Sequence, residues 1–214
     1  MRPRVHNVLS YGLTLLVFWG VLLFRSRAAS SSAQASFAAA LWTAHFVRRS
    51  LESAFVHRYS KPRIGAGDYL IEYAYYWGFA AWIAWSVSSS AHREPAIWLQ
   101  SLGLVVFLAA ELGNARAHVM LRELRSASGV ERQIPRGFLF EWVSCPHYSC
   151  EILTWVGFNL VTGTLAGVAF MLVGAGILGG WAHARHAAYR REFDGRDGRQ
   201  AYPSERRVLI PFLW

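Results

Sequence analysis

Side chains able to do chemistry fall in four groups, each inside or beside a long apolar run. The first is His45, Arg48, Arg49 and Glu52, at offsets of three, four and seven from the histidine. On a helix that spacing sets His45, Arg49 and Glu52 on one face, either to meet a substrate or as an internal Arg49–Glu52 pair that fixes packing. The second group, Glu111, Asn114, His118, Arg122 and Arg125, follows steps of three and four and makes one polar stripe, with Arg116 on another face. An amide followed by two guanidinium groups suits a phosphate-bearing ligand, because Arg bonds phosphate through two parallel N–H groups. A snorkelling amphipathic helix end is the plainer alternative.

The densest group is 134–151, IPRGFLFEWVSCPHYSCE, where Pro135-Arg136-Gly137 reads as an interfacial turn. Pro146 interrupts the backbone where His147, Tyr148 and Glu151 follow. A broken helix at membrane depth is tolerated only where it lines a cavity or is buried against protein. Cys145, His147 and Cys150 match no standard zinc spacing and lack a fourth partner, so no metal is expected. A Cys145–Cys150 disulfide is not expected either, as both face a reducing cytoplasmic half. The last group is His183, His186, Tyr189, Arg190 and Arg191, followed by Tyr202-Pro203 and the apolar LIPFLW. Topology setting and contact with anionic lipid explain single arginines there, but not His186 and Tyr189 three residues apart.

The elements that position these groups follow from composition. Apolar residues make up 54% of the 214-residue chain and charged residues 16%, against about 25% in a soluble domain, yet the formal charge is +9. Such a chain is neither a disordered tail nor, with two cysteines, a disulfide-stapled module. Its apolar residues fall in runs near the ~20 residues that cross a bilayer: 8–24, 35–57, 69–87, 95–111, 138–160 and 165–181. The expected fold is an all-α polytopic membrane bundle of about six transmembrane helices, broken near Pro146, in one domain spanning 1–214.

An ionisable group inside such a span costs ~2.5–3.5 kcal/mol on insertion scales, so it turns to the bundle interior or a watery cavity. Basic residues crowd the connection after span two (Arg58, Lys61, Arg63), that after span four (Arg122, Arg125, Arg132, Arg136) and the tail, while the connections after spans three and five hold only Arg93. That asymmetry places both termini in the cytoplasm, with Arg25 and Arg27 mildly against the rule.

The blocks RRSLESAFVHRYS (48–60), YYWGFAAW (75–82), LGNARAHVMLRELR (112–125), IPRGFLFEWVSCPHYSCEILTWVGF (134–158) and HAAYRREF followed by YPSERRVLIPFLW (within 186–214) resemble the trans-2-enoyl-CoA reductase branch of the steroid 5α-reductase family. The resemblance covers roughly residues 40–214. It implies an NADPH-dependent membrane reductase that delivers a hydride to the β-carbon of a double bond conjugated to a carbonyl, and a proton to the α-carbon. In this branch the substrate is a very-long-chain trans-2-enoyl-CoA and the reaction ends a round of fatty-acid elongation.

Carried over by position, the catalytic residues are Tyr148 and Glu52. The cofactor would be held by Asn114, His118, Arg122, Arg125, His147, Glu151, His186 and Tyr189, with Arg58 and Arg206 as further phosphate candidates. His45, Phe46 and Arg49 would line the substrate. A Tyr148 hydroxyl can stabilise the developing enolate, and Tyr148 or water can deliver the α-proton with Glu52 orienting the donor. His147 stands where the family usually has Asn, and Phe46 where steroid reductases usually have Tyr.

The implied partners are a lipid-like substrate (acyl-CoA or steroid), membrane lipids and other chain-elongation enzymes. The membrane would be the endoplasmic reticulum in a eukaryote or the inner membrane in a bacterium. The runner-up activity is a 3-oxo-5α-steroid 4-dehydrogenase. A membrane S-adenosylmethionine methyltransferase also carries a Pro-containing broken helix and a basic tail, but usually has paired acids where this chain reads YRREF. A non-catalytic scaffold leaves Glu52, Glu111 and Glu151 unexplained. A nucleic-acid binder would gather its arginines on one face, and here they are divided among loops.

Overall fold

Uninterrupted Leu, Val, Ala and Phe runs favour helix, and proline falls at the start of such runs rather than within them. At the first helical position its missing N–H forfeits no bond, and Pro3 and Pro146 each open a helix. A computed structural model describes residues 1–26, 33–59, 63, 65–127, 133–196, 198 and 200–214; Arg27, Lys61, Arg132 and Arg199 lie outside them. Six α-helices form: α1 Pro3–Ser26, α2 Ala33–Leu51, α3 Ala66–Val87, α4 Ile97–Ala127, α5 Pro146–Thr162 and α6 Leu165–Glu192. Among the described residues there is no strand, only the isolated bridges Val143–Arg207 and Asp194–Ala201. The chain is all-α.

Three of these helices, Pro3–Ser26, Ile97–Leu124 and Leu165–Glu192, are long and apolar enough to cross a membrane. Large apolar side chains such as Leu16, Phe24, Leu108 and Leu172 stand exposed on them, which suits lipid contact rather than water.

The differences from the sequence expectation have local causes. α2 ends at Leu51 and Glu52–Val56 winds as a π-helical turn, a form that recurs at functional sites. The break expected within a fifth span is the start of α5 itself. Before it, Gly137 (φ 81°) and Phe138 (φ 50°) take left-handed backbone and lead into a 3-10 turn, Phe138–Glu141. Glycine takes that conformation without steric cost. α4 and α6 run several turns beyond their apolar stretches, carrying the polar stripe and the His186–Tyr189 pair on continuous helix.

The residues cluster into two compact units, 1–107 with 155–170, and 108–154 with 171–214. In the first unit α1 buries His6, Ser10, Tyr11, Thr14, Phe18 and Leu22, a stripe at helical spacing. Its start is tied to α3 by His6 Nε2 on Glu72 Oε2 at 2.9 Å. Near its end Arg25 lies 4.2 Å over the Trp85 ring, so this exception to the charge rule rests on an aromatic face. Trp42 is the hub of the core, stacked on Phe18 at 5.0 Å and ringed by Phe46, Trp155, Phe158 and Phe170. Gly157 permits a close crossing, since a Cβ there would stand 2.5 Å from the Phe107 nitrogen.

In the second unit the tail is stitched to the segment before α5. Ser144 N donates to Arg207 O and Arg207 N to Trp142 O, both at 2.9 Å. Ser149 Oγ donates to Leu209 O at 2.6 Å. Tyr189 and Tyr202 stack in parallel, 5.4 Å apart at 3°.

Candidate active site

Helical spacing alone assembles the Glu52 cluster of the first unit. Arg48, four residues back, donates Nη1 to Oε1 at 2.6 Å, and Arg49, three back, donates Nη1 to Oε2 at 2.8 Å. Glu52 is 5% exposed, and both of its carboxylate oxygens are fixed by charge-assisted bonds. Arg49 Nη2 also donates to Tyr11 Oη at 3.2 Å, with its guanidinium 5.3 Å over the Tyr11 ring. Phe46 is fully buried beside Tyr11 and edge-on to Tyr76 at 5.8 Å. His45 is also buried, edge-on to Trp155 at 4.6 Å. His45 is thus held by rings, while Arg49 and Glu52 form the pair. Tyr11 and Tyr76 belong to this environment and were missed by the sequence reading, because they come from α1 and α3 and no spacing links them to α2. Arg58 is exposed beyond the π turn.

The second unit brings together the polar stripe of α4 and the first turn of α5. Asn114, 1% exposed, donates Nδ2 to the His147 carbonyl at 2.6 Å and to Glu151 Oε2 at 3.2 Å. His118, one turn along, lies with its ring centroid 5.6 Å from that of His147, and the His147 ring sits 4.2 Å from that of Tyr148. Tyr148 is half-buried, with Trp181 at 6.3 Å. One buried amide therefore holds the first turn of α5 by a main-chain carbonyl and a carboxylate, and that turn carries an imidazole and a phenol packed on each other. Glu111 is buried at the inner end of the stripe, Arg122 is exposed at its outer end, and the Arg125 side chain lies outside what is described.

The tail residues are engaged differently. His186 Nδ1 and Tyr202 Oη both bond Ser144 Oγ, at 2.6 Å and 2.7 Å. Tyr189 is held in its stack with Tyr202. Arg206, 2% exposed, donates Nη1 to Pro135 O at 2.8 Å and pairs with Glu141 through Nη2 at 3.3 Å. Those two nitrogens brace the chain before α5. Ser144 and Tyr202 also went unread as partners, because each lies more than forty residues from what it bonds.

Two titrating groups flank the α5 start. The Gly137 N–H donating to Glu141, with Arg206 beside it, holds the Glu141 carboxyl below the usual carboxylate range. Burial pushes the Cys145 thiol up to about 12, so it stays protonated at neutral pH.

These buried polar groups stand in a chain whose relatives can be named. A very-long-chain enoyl-CoA reductase of Dictyostelium discoideum is 38% identical over 199 residues, covering 93% of this chain and 64% of the relative. A trans-2,3-enoyl-CoA reductase-like protein of Homo sapiens is 29% identical, covering 79% of this chain and 47% of that one. A steroid 5-alpha-reductase of Gossypium hirsutum is 32% identical over 135 residues, 63% of this chain and 50% of that one. The chain therefore spans about half to two thirds of the length of these relatives. Residues 71–214, which hold the α4 stripe, Tyr148 and the stitched tail, match the model of one family throughout, 3-oxo-5-alpha-steroid 4-dehydrogenase, and it is to this family that the chain belongs.

Proposed function

We propose that the chain is an NADPH-dependent reductase of the 2,3-double bond of very-long-chain trans-2-enoyl-CoA, acting in the last step of fatty-acid elongation. The observation that carries this reading is the cluster of buried Asn114 and His147 with half-buried Glu151, and Tyr148 beside it. Burying an amide and two imidazoles, with a carboxylate half-buried beside them, is costly in an apolar helical unit unless they serve a polar ligand or one another. The relatives named as enoyl-CoA reductases support the acyl-thioester substrate.

The donor set suits a dinucleotide. Asn114, His118, His147 and Glu151 offer amide, imidazole and carboxylate bonds; His186 and Tyr189 add an imidazole and a phenol; Arg122, Arg125, Arg58 and Arg206 are the basic candidates for its phosphates. When bound, NADPH supplies the hydride, chemistry that no side chain here can perform. Tyr148 donates its O–H to the thioester carbonyl oxygen, where negative charge gathers as the β-carbon is reduced. Glu52 is the second catalytic residue of this reading. Arg48 and Arg49 fix both of its oxygens, so it can orient a proton donor without losing rotamer freedom. His45, Phe46 and Arg49 line the substrate's side.

In the same reading residues 1–214 are one integral-membrane domain, α1 to α6 all cross the bilayer, and both termini face the cytoplasm. The test is NADPH oxidation by the purified chain with a long-chain trans-2-enoyl-CoA, lost in Tyr148→Phe.

A second reading is supported by the description of the matching family model: reduction of a 3-oxo-Δ4 steroid. Oxidation of NADPH with such a steroid and none with enoyl-CoA would select it.

A further inference from the structure

Tyr148 packs across α6. Its ring centroid lies 6.3 Å from that of Trp181, and the ring rests on the buried cluster of Cys145, Ala182, Val208 and Leu209. Arg185 follows Trp181 by four residues and Ala182 by three, so it stands on the same helix face one turn along. We propose that Arg185 is a positioning residue for the Tyr148 phenol, its positive charge steadying the negative charge that gathers on the phenol oxygen as the O–H is drawn to the substrate carbonyl. The inference rests on the reductase reading above.

An arginine at a membrane helix end commonly snorkels to the interface or meets a lipid headgroup, and its strongest protein partner is a carboxylate. Among the described residues Arg185 has no ion-pair partner. Its guanidinium is instead near enough to Tyr148, Tyr189 and Cys145 for its charge to act on all three. Cys145 is fully buried and Tyr189 is stacked on Tyr202. Tyr148 is the one of the three that stands against the His147 ring and the turn held by Asn114.

A phenol that lends its O–H to an oxygen gaining charge is left with negative charge of its own. A fixed cation nearby stabilises that charge with little reorganisation. No bond to Arg185 forms or breaks: the proton shifts along the hydrogen bond from Tyr148 to the thioester oxygen, and the guanidinium, charged at any working pH, keeps its own protons. Arg185 is exposed, so water and salt screen its charge and its effect is smaller than that of the phenol itself.

The test is a double-mutant cycle on the full chain, reading NADPH oxidation with a long-chain trans-2-enoyl-CoA. Arg185→Gln should lower kcat about tenfold, less than the roughly 10²–10³ of a lost oxyanion donor, with KM and NADPH affinity little changed. Arg185→Lys should recover most of the loss. In the Tyr148→Phe background Arg185→Gln should do nothing further, because the two side chains act as one unit. Arg191→Gln, which removes the same charge farther along α6, should leave kcat as it is. No loss in R185Q, a loss that persists in the Y148F background, or a raised KM with kcat kept overturns the proposal. A second readout needs no substrate. Tetranitromethane attacks tyrosine as the phenolate, so nitration of Tyr148 at one mildly alkaline pH, followed by peptide mass spectrometry, should fall several-fold in R185Q and hold in R185K. Unchanged nitration in R185Q overturns the proposal even where the unaltered chain is an active reductase. Lowered nitration in a chain that never oxidises NADPH with enoyl-CoA removes the reductase reading and leaves the action of Arg185 on Tyr148 standing.

Discussion

Asn114 Nδ2 donates to the main-chain carbonyl of His147 at 2.6 Å, closing α4 onto the first turn of α5. The same amide reaches Glu151 at 3.2 Å, so one side chain sets the height and the rotation of the turn that presents Tyr148. Asn114→Ala removes the donor shared by a helix carbonyl and a half-buried carboxylate, and each hydrogen bond so lost costs about 0.5–1.5 kcal/mol. The expected result is a melting temperature lower by several degrees, at about 2–4 °C per kcal/mol. NADPH affinity should fall about tenfold or more in a direct binding titration. Unchanged affinity in a correctly folded variant would remove Asn114 from the cofactor set.

Tyr148→Phe keeps the ring, and so its 4.2 Å contact with His147, while removing the hydroxyl. If that hydroxyl steadies the developing oxyanion, kcat should fall by about 10²–10³, as when an oxyanion donor is lost elsewhere. KM and NADPH binding should change little. A fall in affinity with kcat preserved would instead make Tyr148 a binding residue.

Glu52 sits between two guanidinium groups with its carboxylate buried. Breaking a buried pair by neutralising one partner costs about 3–5 kcal/mol, because the remaining charge is left uncompensated. Glu52→Gln should therefore lower stability by close to that amount and lower turnover as well. The double variant Glu52→Gln/Arg49→Gln should recover part of the stability. If it recovers turnover too, Glu52 is a structural strut; if turnover stays low, its carboxylate acts in the reaction.

Local periodicity carries some of these features and not others. The Arg48, Arg49 and Glu52 contacts follow from steps of three and four, as does the α4 stripe, because helical spacing alone decides which side chains meet. Apolar runs located the helices, but hydropathy fades where a helix leaves the bilayer while its backbone bonds continue, so the apolar runs end before α4 and α6 do. The π turn at Glu52 has no local signal. Tyr11 beside Arg49, Ser144 between His186 and Tyr202, and Arg206 beneath Pro135 depend on separations of 38 to 71 residues. Such meetings are fixed by tertiary packing, on which spacing within a segment is silent.

The Arg206–Glu141 contact makes the brace before α5 sensitive to acid. The Gly137 N–H, and then Arg206, hold the Glu141 carboxyl below its ordinary range. An unfolded glutamate titrates near ~4.3, so the folded value lies under the unfolded one. The contribution is then complete above the unfolded value and is lost as pH falls through the folded one. Glu141→Gln should melt below the unaltered chain at pH near neutrality and converge with it in acid. The Glu141 side chain is 44% exposed, so solvent screening keeps the neutral-pH difference to about 1 kcal/mol or less, or roughly 2–4 °C. Melting curves in one detergent at stepped pH read this directly. Two curves that run parallel down to strong acid would show that the carboxylate charge does not hold the Arg206 brace.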